Sequence, residues 1–345
     1  MTDNAWTAGT ADSAPPISII LATRDRPGPF AAALASVLAQ DLPGFEVLVI
    51  EDGTAEEHRA AYDATLDAAR TRIGGRLRHH RLPRRPRGHG QSYVLNLGVA
   101  LAAGGYVGFL DDDDAWTDPG HLSRAARALA AAGGADLYMA NQAAWRGEER
   151  MAGPVWIETL AQAAAGRGLQ PSADGVFAVG VGELMALDGF CHVNALIVRR
   201  AHWEAVGGMD EGIRWECDRD LYLRLVDAAG TMLHHPAFVA RHNIPDPAQG
   251  ASMTTSLGTL DRLLYRLRVM DKACLFAGRP AIRAHARLHK AYTLKHITEE
   301  LRAAGRWRDA AFYARQALGA GPTLKWAGFT LLAGVAALRP GRGMG

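Results

Sequence analysis

Short apolar runs alternate with segments of helical periodicity over the first 140 residues of the chain. Apolar and β-branched residues fill residues 17–22 and 45–50, and further apolar runs end at Leu110 and at Ala140. Between these runs, apolar residues recur at the spacing of one helix face, first after Pro27. Strands that alternate with helices in this way predict βαβ units and a mostly parallel sheet.

Acidic turns follow three of these predicted strands. The first turn contains Asp25, the second contains Glu51 and Asp52, and the last is the run Asp111–Asp114. Ligands of open α/β sheets bind outside the carboxyl ends of the strands, and Mg²⁺ is shared between carboxylates and substrate phosphates. The run of four acids taken alone would equally suit a solvated turn. Because three acidic turns converge on one sheet edge, we predict a metal–diphosphate site there.

Polar residues in the rest of the chain offer further candidates for chemistry. Glu216, Asp218 and Asp220 lie in the first turn of a predicted helix, where the helix dipole also favours acids as plain caps. His242, close to two prolines, is either a hydrogen-bonded loop residue or a further ligand of the metal or diphosphate. The basic, Pro- and Gly-rich residues 79–90 predict a solvated loop, with an arginine–phosphate contact as the alternative.

The pattern divides the chain into three regions. We expect residues 1–15 to be a disordered tail, because they are small, polar and aperiodic. Residues 16–250 form the predicted catalytic domain, with a nucleotide-binding half at 16–140 and an acceptor half at 141–250. The remaining residues, 251–345, are dense in Leu, Ala, Arg and His at helical spacing and predict a helical appendage.

Composition limits which binding partners and which cellular compartment we expect for this protein. The formal net charge of +2 gives no reason to expect a nucleic-acid partner. Three widely spaced cysteines, and an N-terminus without a basic region and apolar core, predict a cytoplasmic protein. The apolar run 324–338 is shorter than the roughly 20 residues that span a bilayer. We therefore favour a packed terminal helix over the alternative, peripheral docking on a membrane through Trp326, Phe329 and Leu331.

Four segments resemble the family 2 glycosyltransferases, which have the GT-A fold. They read ISIILATRDRP, SVLAQ with FEVLVIEDGT, GYVGFLDDDDAW and VGGMDEGIRWECDRDLYLRL, in the family's order over residues 17–226. The resemblance implies an α/β fold with a Rossmann-like, mostly parallel sheet. It also implies an inverting transferase that moves a sugar from a nucleotide-diphosphate sugar, with a UDP-sugar favoured, to a hydroxyl acceptor such as a glycan or glycolipid. Mn²⁺ or Mg²⁺ would be the cofactor.

The resemblance also implies roles for individual residues. The predicted nucleotide-sugar-binding residues are Thr23, Arg24, Asp25, Glu51, Asp52, Gly53, Asn96, Asp111 and Asp112. The Asp-x-Asp signature falls on Asp111 and Asp113, and the predicted metal ligands are Asp113, Asp111 and His242. Asp218 would be the catalytic base, although Cys217 stands where the family has a glutamate, which leaves Glu216 as an alternative.

Two other functions remain open at this point. The chain could be a non-catalytic nucleotide-sugar-binding or scaffold protein on the same fold, but the retained carboxylates argue against that. A nucleotidyltransferase would also use paired acids and Mg²⁺. Such an enzyme would need a glycine-rich phosphate loop with a lysine early in the chain. The first predicted turn reads TRDRPGP and does not have that pattern.

Overall fold

The computed structural model describes residues 16–244 and 257–338. The predicted disordered tail at residues 1–15 lies outside the described residues. Contacts within the chain divide it into two compact units, one up to Asp246 and one from Pro247 onward.

A mixed sheet forms the centre of the first unit. Its strands are β1 (Ile17–Thr23), β2 (Glu46–Glu51), β3 (Leu77–Arg81), β4 (Tyr106–Asp111), β5 (Ala115–Trp116), β6 (Leu137–Arg146), β7 (Glu149–Arg150), β8 (Phe177–Val179), β9 (Leu196–Arg199) and β10 (Met232–Asn243). They are ordered β3-β2-β1-β4-β9-β6-β10-β5, with β7 beside β6 and β8 beside β10. The strands β3, β2, β1 and β4 pair in parallel, whereas β9 runs antiparallel to β4 and β6.

Helices cover this sheet as the apolar spacing predicts. They are α1 (Pro27–Leu38), α2 (Glu56–Ile73), α3 (Gln91–Leu101), α4 (His121–Ala131), α5 (Leu160–Gly166), α6 (Val181–Leu184), α7 (Arg200–Ala205) and α8 (Cys217–Ala228). The continuous apolar runs of β1 and β2 are buried almost throughout, as central strands of a parallel sheet require. The predicted α/β fold with a mostly parallel sheet is therefore confirmed.

Several predicted element boundaries are wrong, and long-range pairing explains them. Strands β6 and β10 pair in parallel as far as Trp145 and Asn243, so β6 runs beyond its predicted end at Ala140. His242 therefore lies on a strand rather than in a loop. Part of the predicted loop 79–90 belongs to β3. A 3₁₀ turn, Val193–Ala195, leads into β9.

A glycine allows α3 to lie directly against β1 beneath the acidic edge of the sheet. A Cβ at Gly98 would stand 2.5 Å from the Cγ2 of Ile20, closer than any real side chain tolerates. Both residues belong to the predicted nucleotide-binding half, residues 16–140. Gly98 is thus explained by close packing and needs no role in binding.

The second unit consists of four helices over its described residues: α9 (Thr259–Phe276), α10 (Pro280–Ala303), α11 (Trp307–Ala320) and α12 (Leu324–Ala337). Trp326 of α12 is buried, and its Nε1 donates to the Ala314 carbonyl oxygen over 3.0 Å. Small residues such as Ala314 and Ala317 let the helices approach closely. The predicted C-terminal helices are thus present. Within residues 16–244 and 257–338, each helix is too short or too polar to cross a membrane.

Candidate active site

The carboxyl ends of β1, β2 and β4 lie side by side at one edge of the sheet. Thr23 pairs with Glu51, and Ala22 pairs with Asp111, because the three strands run in parallel register. The acidic turns that follow these strands therefore share one edge, as expected. The contacts of each acidic side chain then distinguish the residues that are bonded inside the protein from those that can face a ligand at this edge.

Thr23 and Asp112 form a buried strut between the ends of β1 and β4. The Thr23 Oγ1 donates to Asp112 Oδ2 over 2.7 Å, and the backbone N–H of Arg24 points to the same oxygen at 3.4 Å. Both residues are less than a tenth exposed. Their side chains are used inside the protein, so the strut shapes the predicted nucleotide site without facing it.

Glu51 and Gly53 also have internal roles. Glu51 is fully buried and accepts hydrogen bonds from His79 and Arg81 on β3 at 2.9 and 2.8 Å. Burial raises the pKa of Glu51, but these bonds outweigh it and lower the pKa. Gly53 has a φ of 68°, and a Cβ there would lie 2.7 Å from the Cα of Arg84. We therefore leave the carboxylate of Glu51 out of the proposed binding set. Gly53 has no side chain that could bind a ligand, and its place in the turn is explained by close packing against Arg84.

Asp25 and Arg24 shape the turn after β1. Asp25 has a left-handed φ of 54°, and its Oδ1 accepts from the Ala55 N–H over 2.7 Å. Burial raises the pKa of Asp25, but this bond and the guanidinium groups of Arg24 and Arg84 lower it overall. Arg24 donates to the Arg85 carbonyl oxygen over 2.8 Å. About a quarter to a third of the Asp25 and Arg24 side chains stays exposed, so both can meet a ligand.

Asp52 is held by the turn that precedes α3. Its two oxygens accept from the His89 N–H at 2.8 and 3.0 Å, and the His89 Nδ1 lies 2.6 Å from Oδ1. The Gly90 N–H approaches Oδ2 at 3.2 Å. In this conformation Asp52 is 8% exposed, so a nucleotide base that uses it must displace part of the turn.

Asn96 faces a different loop. Its Nδ2 donates to the Met209 carbonyl oxygen over 2.9 Å and to Glu211 over 3.1 Å, and its Oδ1 accepts from the Met209 N–H over 2.8 Å. Both ends of the amide therefore clip α3 to the loop before α8. We leave Asn96 out of the proposed binding set.

Arg26 neutralises two acids of the run after β4. Its Nη1 lies 2.7 Å from Asp113 Oδ2 and 3.5 Å from Asp112 Oδ1. About a third of the Asp113 side chain is exposed, in contrast to the buried Asp112. Of these two acids, Asp113 is therefore the one that faces solvent and a ligand. The sequence analysis did not identify Arg26 as the partner of Asp113, because the pattern showed Arg26 only as part of a polar turn.

Asp114 anchors the opposite side of the run. It is fully buried, and its Oδ2 lies 2.6 Å from both Asn194 Nδ2 and His242 Nδ1, while its Oδ1 accepts from the Asn243 N–H over 2.7 Å. Burial lowers the pKa of His242, but the bond to Asp114 and nearby carboxylates raise it overall. Because Nδ1 faces Asp114, the Nε2 of His242 is the ring nitrogen left to meet a ligand.

Asp111 and Asp218 face the same histidine from two different elements. Asp111 ends β4, and Asp218 lies in the first turn of α8. The Nε2 of His192 lies 3.8 Å from Asp111 Oδ2 and 3.6 Å from Asp218 Oδ2. Gln91 also donates to Asp111 Oδ1 over 3.0 Å. Asp111 at the carboxyl end of β4 and Asp218 at the start of α8 therefore lie around His192, and these three residues define the cleft.

The carboxylates of this cleft disfavour ionisation. Burial raises the pKa of Asp112 and of Asp218 to about 6. Burial also raises the pKa of Asp111 well above its ordinary value, and the neighbouring acids Asp114 and Asp218 add to the shift. The pKa of Asp113 is raised by burial and by Asp114. A cation placed among these groups would offset their mutual repulsion.

Glu216 differs from Asp218 in its surroundings. It has a left-handed φ of 62° and forms an ion pair with Arg219, whose guanidinium also stacks on the Phe190 ring at 4.5 Å. The Arg219 Nη1 donates further to the Asp188 carbonyl oxygen. Glu216 is therefore tied to the Arg219 guanidinium, whereas Asp218 faces the cleft next to the neutral ring of His192.

The predicted metal ligands fit a divalent cation in chemistry but are not gathered into a finished site. Oxygen donors of Asp111 and Asp113 suit Mg²⁺ or Mn²⁺. His242 is held through Nδ1 by Asp114, the carboxylate–histidine pairing that orients many metal-bound histidines. Across residues 16–244 and 257–338, however, three His, Cys, Asp or Glu side chains are nowhere arranged as a metal-binding group.

Sequence reasoning missed His89, His192, Asn194 and Arg26 in this region. Two of them carried a signal, because His192 and Asn194 are polar residues inside an apolar stretch from Cys191 to Val198. A polar side chain in such a stretch is buried and needs a partner. The partners themselves are about eighty residues away and could not be read from the chain.

Comparison with known proteins agrees with this fold. Residues 18–171 match the family model described as glycosyl transferase family 2. A comparison with curated proteins gave no match. Among solved structures, the chain resembles the S. aureus protein TarS with 14% identity and a TM-score of 0.61 over 93% of this chain. The chain spans about half of that protein, since 52% of TarS is covered.

Two further structures contain ligands. Residues 1–349 of S. aureus TarS, solved with UDP-GlcNAc, match at a TM-score of 0.65 and 16% identity, covering 93% of this chain and 88% of that one. A mannosyltransferase from Pyrobaculum calidifontis, PcManGT, solved with GDP-Man and Mn²⁺, matches at a TM-score of 0.59 and 16% identity, covering 98% of this chain and 85% of that one. Residues 18–171 are therefore similar to glycosyl transferase family 2, and the likeness to solved structures shows the GT-A fold.

Proposed function

We propose that this protein transfers a sugar from a nucleotide-diphosphate sugar to a hydroxyl group, with inversion at the anomeric carbon. One observation carries the proposal. The same His192 nitrogen lies within 4 Å of Asp111, at the donor edge of the sheet, and of Asp218, at the start of α8. A donor bound at the edge and an acceptor beside α8 would thus meet in one cleft. Fold-level likeness alone would not support this, because GT-A folds can lose activity.

Asp218 is the base in this proposal. Its raised pKa of about 6 suits a group that accepts a proton near neutral pH. Asp218 takes the proton of the acceptor hydroxyl while that oxygen bonds to the anomeric carbon. The bond from this carbon to the diphosphate oxygen breaks on the opposite face, which inverts the configuration. Glu216 is less suited to the role, because it is paired with Arg219.

The donor's diphosphate would lie against Asp113, Asp111 and His242. A bound Mn²⁺ or Mg²⁺ held by these residues would neutralise the leaving diphosphate. Arg26 pairs with Asp113 in this structure and is the protein's own cation at that position. Asp25 and Arg24, which keep exposed surface, and Asp52 would contact the base and ribose. We favour a UDP-sugar as donor and a glycan or glycolipid as acceptor; the UDP-GlcNAc bound in the TarS structure supports the first choice.

A thermal-shift panel with UDP-, GDP-, CMP- and TDP-sugars tests the donor. A UDP-sugar should raise the melting temperature, and more so with Mn²⁺ than with chelator, because a ligand of the native state stabilises it. The donor that binds is then incubated with candidate acceptors, and NMR of the product reports the anomeric configuration. Binding of none of the four classes would contradict the proposal. A product of retained configuration would overturn the inverting mechanism.

We also propose that the second unit contacts an anionic membrane surface, through a different set of residues than predicted. Trp326 is buried and Phe329 stacks on it at 4.8 Å, so neither leads a docking face. Leu331, Leu332 and Val335 of α12 are instead 61–73% exposed. Residues 247–345 contain 16 Lys and Arg against 5 Asp and Glu, which complements anionic lipid headgroups.

Vesicle co-sedimentation tests this contact. The full-length protein should pellet with vesicles of phosphatidylglycerol and phosphatidylcholine, and less with phosphatidylcholine alone. The double variant Leu331→Asn/Val335→Asn should lose most of this binding. Leu275→Asn is the matched control, since Leu275 is 88% exposed on another helix of the same unit. Equal binding by wild type and the double variant would contradict the docking surface.

A further inference from the structure

The segment His192–Asn194 is a buried polar turn that the proposed function leaves without a role. It begins the 3₁₀ turn that leads into β9, and His192 is the residue that caps this turn. His192 is 7% exposed, and Asn194 is fully buried. Two polar side chains buried next to each other need a reason, because burial of unsatisfied polar groups is costly.

Asn194 fixes this turn to the acidic run. Its Oδ1 accepts from the Asp111 N–H over 3.0 Å, and its Nδ2 donates to Asp114 Oδ2 over 2.6 Å. Its carbonyl oxygen accepts from Trp116 Nε1 over 2.8 Å. These three contacts, to the end of β4, to Asp114 and to β5, set the position of the turn, and therefore of the neighbouring His192, relative to the donor edge.

The hydrogen bonds of His192 determine which ring nitrogen carries the proton. Its Nδ1 accepts from the Asn194 N–H at 3.4 Å, so this nitrogen has no proton and the ring carries its hydrogen on Nε2. The rings of Trp156 and His242, with centroids 6.0 and 5.0 Å away, limit its rotation. Nε2–H thus points into the cleft as a fixed donor.

The two groups that face this donor are Asp218 and Asp111, at 3.6 and 3.8 Å. These distances lie just beyond a hydrogen bond, and a small carboxylate rotation would close one of them; such bonds often tighten only when substrate is bound. The other oxygen of Asp218 lies 3.9 Å from the Cys217 thiol, which is a weak donor. His192 is therefore the stronger donor of the two.

We propose that His192 is a positioning residue, whose Nε2–H holds the carboxylate of Asp218 in the orientation that receives the acceptor's proton. Asn194 sets the place of this donor and its tautomer. The inference rests on the proposed function, because it needs Asp218 to be the base. It differs from that function in its target, since His192 acts through Asp218 and binds neither donor nor acceptor.

The test compares His192→Phe with His192→Gln. Phe keeps a ring but removes the donor, so kcat should fall about 10- to 100-fold, the usual loss when a supporting hydrogen bond to a reacting group is removed. KM for the donor, and Kd for UDP by calorimetry, should stay within about threefold of wild type. Gln supplies a neutral N–H and should recover most of kcat. A loss confined to KM or Kd, or no rescue by Gln, would overturn the proposal.

Two controls separate positioning from general damage. His202→Phe removes another buried histidine, one that bonds to the Leu225 carbonyl oxygen over 2.9 Å, and should leave kcat within about threefold even if it lowers the melting temperature. In an Asp218→Asn background, His192→Phe should lower residual transfer no further, because the carboxylate it serves is gone. A further tenfold loss there would contradict the proposal. If Asp218→Asn alone keeps full turnover, the proposed base fails instead.

Discussion

Replacement of Asp218 by Asn is expected to lower sugar transfer by about 100- to 10,000-fold, the range that a general base contributes. Asn keeps the size of the side chain but cannot accept the hydroxyl proton. Because Asp218 is proposed to face the acceptor hydroxyl and not the donor's diphosphate, UDP-sugar affinity should change by less than about threefold. Steady-state kinetics of transfer, together with calorimetry of donor binding, measure both effects.

Glu216→Gln is the matched control for this prediction. Both acids lie at the start of α8, but Glu216 is paired with Arg219 and is 15% exposed, so its loss removes an ion pair rather than a base. We expect turnover within about tenfold of wild type. If Glu216→Gln abolishes transfer while Asp218→Asn does not, Glu216 is the base and the proposed assignment of Asp218 is wrong.

Replacement of Asp113 by Ala is expected to weaken UDP binding by about 10- to 100-fold in the presence of Mn²⁺, and to leave it nearly unchanged with chelator. Asp113 is the more exposed acid of the pair next to Arg26, and its oxygens suit a cation shared with a diphosphate. Without metal, loss of one negative charge near a diphosphate removes repulsion and cannot by itself weaken binding. Calorimetric titration of UDP under both conditions measures the difference.

Asp67→Ala controls for the loss of a carboxylate as such. Asp67 lies on α2 with 72% of its side chain exposed and pairs with Arg70, and its removal should leave UDP binding unchanged in both conditions. If Asp113→Ala weakens UDP binding relative to wild type by the same factor with Mn²⁺ and with chelator, Asp113 has no metal role.

The hydrophobic pattern was enough to predict the central strands and the edge at which the acids gather. β1, β2 and β4 are mostly apolar runs, and parallel strands bring their carboxyl ends together whatever the details of packing. The extension of β10 to Asn243 could not be predicted, because its last residues are polar and belong to the strand through pairing with β6. Local propensity was overridden there by a tertiary contact.

Acidic residues in the turns were harder to divide into binding groups and internal struts. Glu51 and Asp112 stand next to Asp52 and Asp113, and the sequence offers no sign that the first two are buried. Their partners decide the matter: Arg81 is 30 residues from Glu51, and Thr23 is 89 residues from Asp112. Burial of a polar side chain depends on such partners, which only the fold brings together.

His192 shows the same limit at the centre of the cleft. It reaches Asp111 and Asp218 only because Asn194 ties its turn to the end of β4, through a bond from the Asp111 N–H that spans 83 residues. The bridge between donor edge and base therefore comes from a residue that no motif marks. The family resemblance, in contrast, marked Asp111, Asp113 and Asp218 by their place in four ordered segments.

The central claim is that strand-end acids and the first turn of α8 form one site for a nucleotide diphosphate and its cation. Diffraction at the manganese absorption edge, from crystals grown with UDP and Mn²⁺, tests it most directly. The account predicts one anomalous peak within about 2.3 Å of an Asp113 oxygen and a diphosphate oxygen, in the cleft that also contains Asp218. UDP bound on another face of the protein, or a manganese peak remote from Asp113, would contradict it.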